Sequence, residues 1–183
     1  MDRAEYREKI QEIKNLNQQK RYAEAAEIIL QINWRKVKSA STLTHAGVIL
    51  GRAGKFAEGK ELLLEAYDRA PIGKTSVYWL VELALKEGNY EEAEEYFREY
   101  VEIAPEDTRR YILEYKLGRV TGKSKEELIT LIEIVNEKEF SEEWSYELAY
   151  MYHEAGRVDT CIKLCDEIIL YFGDGYFVEK ALE

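Results

Sequence analysis

The chain has 183 residues, 36 acidic and 26 basic, with a net charge of −10 and a pI near 5.0. That balance argues against a nucleic-acid binder, which needs a basic surface to release counterions; two prolines and eleven glycines are too few for a fold of many short strands. Apolar residues reach 46%, enough for a core, but no run approaches the ~20 that span a membrane, and Met1-Asp2-Arg3-Ala4-Glu5 lacks the character of a secretory leader.

One period organises the rest. Lys20, Gly54, Gly88, Gly122 and Gly156 stand 34 residues apart. Small residues follow at Ala25, Gly59, Ala93 and Cys161, with Glu127 as the exception, and large ones one turn later at Ile29, Leu63, Phe97 and Leu131. Five units at 6–39, 40–73, 74–107, 108–141 and 142–175 therefore form one expected array over 1–183. In the first unit Glu12 takes an apolar site beside an open end. The second ends at Pro71. The third shows the unit plan most clearly. Val77, Leu80, Val81 and Ala84 form one helical stripe; Gly88-Asn89 breaks it; Ala93, Tyr96, Phe97 and Tyr100 form a second, which Pro105 stops. In the fourth, Ser124-Lys125-Glu126-Glu127 reads as a capping box. The second helix of that unit should start near Lys125 and bury Leu128, Leu131, Ile132 and Val135. In the fifth, Tyr152 sits on a core stripe. Beyond Gly173, Tyr176–Glu183 reads as the start of another helix, with Leu182 on the next core position. It is either a capping helix or part of a longer array; apolar Tyr176, Phe177 and Val178 favour the latter, since an array end needs a polar cap.

No reaction chemistry is encoded convincingly. Gly54 to Lys60 imitates a phosphate-binding loop, but Glu61 stands where the metal-binding hydroxyl belongs and no strand precedes it. Cys161 and Cys165 lie i, i+4 at core positions and read as small hydrophobes. His45 and His153 have no ligand spacing with them, so no metal and no cofactor are expected. With two cysteines there is no disulfide framework, and a cytoplasmic, non-enzymatic protein is the expectation.

The 34-residue pattern resembles the tetratricopeptide repeat, through Leu43, Ala46-Gly47, Leu50, Gly59, Leu63 and Pro71 in unit two. Unit three carries it through Val77, Leu80, Ala84, Ala93, Phe97 and Pro105, and unit five through Leu148-Ala149, Tyr152, Cys161 and Cys165. From about Arg110 to Leu182 the chain also resembles bacterial repeat proteins of unassigned function. The resemblance implies an all-α superhelix of antiparallel helix pairs, about ten helices plus a C-terminal partial helix. It further implies a groove lined by the first helix of each unit.

The family's groove positions, transferred here, hold seven bases against three acids, while the remainder of the chain is strongly acidic. From Thr108 to Lys125 there are six bases and one acid. The expectation is an acidic peptide segment bound by Arg7, Lys14, Arg52, Lys86, Arg109, Lys116 and Arg119, with Ile112 among the last three. Tyr78, Tyr146 and Tyr150 would add aromatic contact area. The alternatives are pairing of these bases with neighbouring glutamates, or self-association through the C-terminal end. The chaperone-tail clamp of some family members is not expected, because its positions hold Ile10, Lys14, His45, Thr75 and Trp79.

Overall fold

The computed structural model describes residues 2–70 and 73–183. Pro71, the expected end of the second unit, lies outside them. Among the described residues there are eleven α-helices and one 3-10 turn, with no strand. The fold is therefore all-α, made of antiparallel helix pairs. By contacts the chain divides into two compact units, Met1–Pro105 and Glu106–Glu183.

The first unit holds α1 (Arg3–Gln18), α2 (Tyr22–Ile29), a 3-10 turn at Trp34–Lys36, α3 (Ala40–Arg52), α4 (Phe56–Arg69), α5 (Lys74–Glu87) and α6 (Tyr90–Ile103). The second helices of its three pairs begin at Tyr22, Phe56 and Tyr90, one 34-residue period apart. Each is preceded by a left-handed turn residue, Gly54 (φ 78°) and Gly88 (φ 85°) in two pairs and Lys20 (φ 58°) in the first. A lysine there accepts the steric cost that glycine avoids. The close crossing of α3 and α4 explains two more glycines. A Cβ on Gly47 would stand 2.8 Å from the Gly59 carbonyl oxygen, and one on Gly59 would stand 2.9 Å from that of Gly47. The glycines of the phosphate-loop lookalike thus serve a turn and a helix crossing.

Around that crossing Leu43, Leu50 and Leu63 are fully buried, as are Ala25 and Ile29 nearer α1. The first pair departs from the plan, for α2 has only eight residues. The Trp34 side chain takes over the space beyond it, buried and donating its indole N–H to the Ile29 carbonyl at 2.8 Å. Glu12 is exposed. Between α3 and α5 the buried hydroxyls of Thr44 and Ser76 meet at 3.1 Å; Thr44 donates to the Ala40 carbonyl at 2.9 Å and so accepts from Ser76.

The second unit holds α7 (Arg109–Thr121), α8 (Lys125–Lys138), α9 (Glu142–Glu154), α10 (Val158–Phe172) and α11 (Tyr176–Leu182). The capping box is present: the Ser124 hydroxyl accepts from the Glu127 N–H, and the Glu127 carboxylate accepts from the Ser124 N–H at 3.0 Å. That box starts α8 at Lys125 and places Leu128, Leu131, Ile132 and Val135 inside. It also explains Glu127, whose exposed side chain completes the box. Tyr115 occupies the place on α7 that Gly47 holds on α3 and is 2% exposed. Burial and its bond to the Glu147 carboxylate push its phenol well above the ordinary tyrosine range.

Two expectations need correction in this unit. Cys161 and Cys165 are half-buried at the edge of the core and not within it; burial still pushes the Cys165 thiol up to about 11. Leu182 is 68% exposed, and the core residue of α11 is Val178. The helix is pinned at its first turn, where a Glu142 carboxylate oxygen accepts from the Phe177 and Val178 N–H groups at 3.2 and 3.3 Å. Leu182 lies a turn beyond that anchor.

Candidate interaction site

In the first unit, α1 and α3 diverge enough to leave a cavity of about 640 Å³ that reaches Trp79 on α5. Its wall is built from one face of each helix. Ile10, Lys14, Asn17 and Gln18 come from α1, and Ser41, Val48 and Arg52 from α3; Lys14 and Arg52 are among the binding residues that the sequence suggests. Trp34, His45 and Trp79 complete the polar and aromatic part. Among the described residues no carboxylate lines it. In a chain with ten more acids than bases, that is a local reversal of sign.

Arg52 is the most constrained cation of this wall. Its guanidinium carbon lies 5.4 Å from the Tyr22 ring centroid and 5.8 Å from that of Trp79, within cation–π range. One of its N–H groups donates to the Asn17 side-chain oxygen at 3.4 Å. Lys86 is exposed and donates to the Arg52 backbone carbonyl at 3.3 Å, so it stands beside the cavity. Tyr78 is half-buried: its ring meets Trp79 and Tyr100 edge-on, and its hydroxyl donates to Glu82 at 2.8 Å. Arg7 is exposed on α1 and is not part of the wall.

The second unit treats its cations differently. Arg109 is held by Asp107, with contacts of 3.1 and 2.9 Å to the two carboxylate oxygens. Arg119 pairs with Glu147 at 2.8 Å and lies over the Tyr115 ring at 5.8 Å. Lys116 is half-buried. Ile112 corrects the sequence-based expectation: it is 5% exposed and packed in the core with Tyr115, Ile129 and Ile132. The reason is that α7 has buried residues around most of its circumference, Leu113, Tyr115, Leu117 and Gly118 included. Tyr146 is half-buried against the Phe177 ring at 5.5 Å, and Tyr150 is 45% exposed on α9.

Some participants escaped the transferred positions. Glu147 answers Arg119 from the residue after Tyr146, a place the groove count did not include. Trp34 comes from the irregular turn after α2, outside the first helix that supplies the groove positions of its unit. His45 and Trp79 each directly follow a groove position. Among the described residues no cluster of His, Cys, Asp and Glu could hold a metal ion, and no helix is long and apolar enough to cross a membrane.

Comparison with known proteins places this architecture. Residues 46–108 match the family model described as tetratricopeptide repeat. Over those residues the chain is similar to that family. The fold is shared with a thermophilic tetratricopeptide repeat protein of Thermus thermophilus, at 14% identity and a TM-score of 0.75, covering 96% of this chain and 98% of that one. A tetratricopeptide repeat protein from Parabacteroides merdae is similar at 14% identity and a TM-score of 0.71, covering 92% of this chain and 66% of that one. MamA from Desulfovibrio magneticus is similar at 16% identity and a TM-score of 0.61, covering 94% and 96%. No curated protein matches the sequence. At these identities the likeness of the repeats concerns the fold.

Proposed function

We propose that the chain is a non-enzymatic protein-interaction module whose first helices receive an acidic peptide segment. The observation that carries this reading is the carboxylate-free cavity between α1 and α3, with Lys14 and Arg52 in its wall, inside a chain of net charge −10. The tetratricopeptide fold supports it, since stacked helix pairs present faces of side chains suited to binding extended partners. Lys14, Arg52 and Lys86 supply the positive charge, with Arg7 and Tyr78 at the margin. Arg109, Lys116, Arg119, Tyr146 and Tyr150 form a secondary contact surface in the second unit, weaker because Arg109 and Arg119 already face carboxylates. The test is capture of partners by the native chain and by a Lys14→Glu/Arg52→Glu variant of unchanged helicity. A partner held by the first and lost by the second supports the reading; equal capture by both refutes it.

A second reading has its own observation. On α10, Val158 and Ile162 are 56% and 54% exposed, although Ile129, at the equivalent place on α8, is 1% exposed. Leu170 and Tyr171 near the other end of α10, and Tyr176 on α11, are exposed as well. Such a face favours assembly with another helical surface. Light scattering on the native chain and on Ile162→Lys would read it directly, with a concentration-dependent mass for the native chain alone as the supporting result.

A further inference from the structure

We infer that Arg52 is a preorganised receptor for one Asp or Glu side chain of the bound segment, and that this contact sets the specificity of the cavity between α1 and α3. The inference rests on the peptide-binding reading above and adds which atom group is recognised, and where.

Several of the chain's arginines pair with carboxylates. Arg21 pairs with Glu24, Arg69 with Glu65, Arg109 with Asp107, Arg119 with Glu147 and Arg157 with Glu126. Arg52 is held in another way. No carboxylate of the described residues pairs with it; two rings and an amide oxygen hold it. Rings fix the plane of a guanidinium without neutralising it, and they leave N–H edges available. An ordered cation of this kind loses little side-chain entropy on binding. Its planar fork suits a carboxylate, which it can grip with two parallel hydrogen bonds.

The surroundings narrow the ligand further. Lys14 stands in the same wall and also has no carboxylate partner among the described residues, so a second positive charge reinforces the site. Ile10, Val48 and Trp79 provide apolar wall beside these charges. A cavity of about 640 Å³ falls in the range of ligand pockets, ~300–1,000 Å³. The occupant that fits is a short peptide stretch with an acidic side chain next to an apolar or aromatic one. The carboxylate meets Arg52, and the apolar neighbour lies on Trp79.

Two bead-bound libraries of random peptides, one with amidated and one with free C-termini, test this against the full chain. Selected peptides are titrated by the fluorescence of Trp34 and Trp79. The expected result is that the amidated library gives binders with Asp or Glu fixed at one position. Arg52→Gln should then weaken them by about tenfold or more, the loss of one charge-assisted hydrogen-bond pair. Lys14→Gln should weaken them less, and Arg157→Gln, at a surface arginine paired with Glu126, should leave them unchanged. Binders without a fixed acidic position, or an Arg52→Gln variant that binds as well as the native chain at unchanged helicity, would overturn the inference and leave the peptide-binding reading standing. Binders from the free-terminus library alone would overturn it in favour of a terminal carboxylate. If neither library yields a binder, the peptide-binding reading fails as well.

Discussion

The second and fourth helix pairs meet the same requirement with opposite means. In α3–α4 the two backbones touch through Gly47 and Gly59, each carbonyl oxygen occupying the space a Cβ would need on the other. In α7–α8 the first of these places is filled by Tyr115, and the second by Glu127, turned outward by the capping box. A large buried ring replaces a close backbone approach, and a polar helix start replaces a small residue. One repeat frame therefore tolerates either solution, provided that the loss at one helix is matched at its partner.

The largest effect that could break this comparison is the removal of the ring. Tyr115→Ala should cost about 4 kcal/mol, because neither the buried volume nor the Glu147 bond has a substitute. Chemical denaturation of the full chain measures it. A loss below ~1 kcal/mol would mean that α7 and α8 close up as α3 and α4 do. Next is Gly47→Val, which forces a side chain against a backbone oxygen and Leu63; about 3 kcal/mol of destabilisation is expected by the same measurement. A tolerated valine would show that the crossing widens easily and that the glycines are not needed there.

Alkali tests the buried rings without changing the packing around them. Burial raises the phenols of Tyr115 and Tyr152 far above their unfolded values, and bonds to Glu147 and Glu133 add to this. The native state keeps these protons while the unfolded state releases them near pH 10. Stability from these groups is thus complete below pH 10 and is lost as pH rises beyond it. Urea midpoints at pH 8 and pH 11 should fall more for the native chain than for a Tyr115→Phe/Tyr152→Phe variant. Equal falls would remove the assignment.

Much of this was legible because turns and packing leave strong marks. Gly54, Gly88, Gly122 and Gly156 announce left-handed turns, and Ser124 with Glu127 announces a helix start. The misses share a different cause. Ile112 was placed by a family position that faces the groove, but α7 is buried around most of its circumference and the face rule loses its meaning there. Leu182 was placed by periodicity, which says nothing about whether a neighbour is present to cover a residue. Trp34 and Glu147 depend on an irregular turn and on a side chain reaching across helices. Neither is a property of spacing. A count of charges located the basic excess but could not tell a paired cation from an unpaired one, and that distinction separates Arg119 from Arg52.

Smaller effects sharpen the account. Ser124→Ala should cost about 1 kcal/mol, the usual value of an N-cap, while Ser39→Ala at the start of α3 should cost less, because no reciprocal carboxylate completes a box there. A double comparison by denaturation reads the difference.

The smallest predicted effect bears most directly on the two cations. Arg119 lies on the surface with Glu147, and Arg119→Gln should lower stability by about 0.5 kcal/mol or less, the range of exposed pairs. Arg52→Gln removes a cation that no carboxylate of the described residues satisfies, and glutamine retains much of the stem that packs beside the rings. Its stability should match the native chain within the error of a urea titration. If Arg52→Gln instead proves more destabilising than Arg119→Gln, the contacts with Tyr22 and Trp79 are holding α2, α3 and α5 together. Arg52 would then be a fold-stabilising residue with no charge in reserve, and the contrast between the two arginines would disappear.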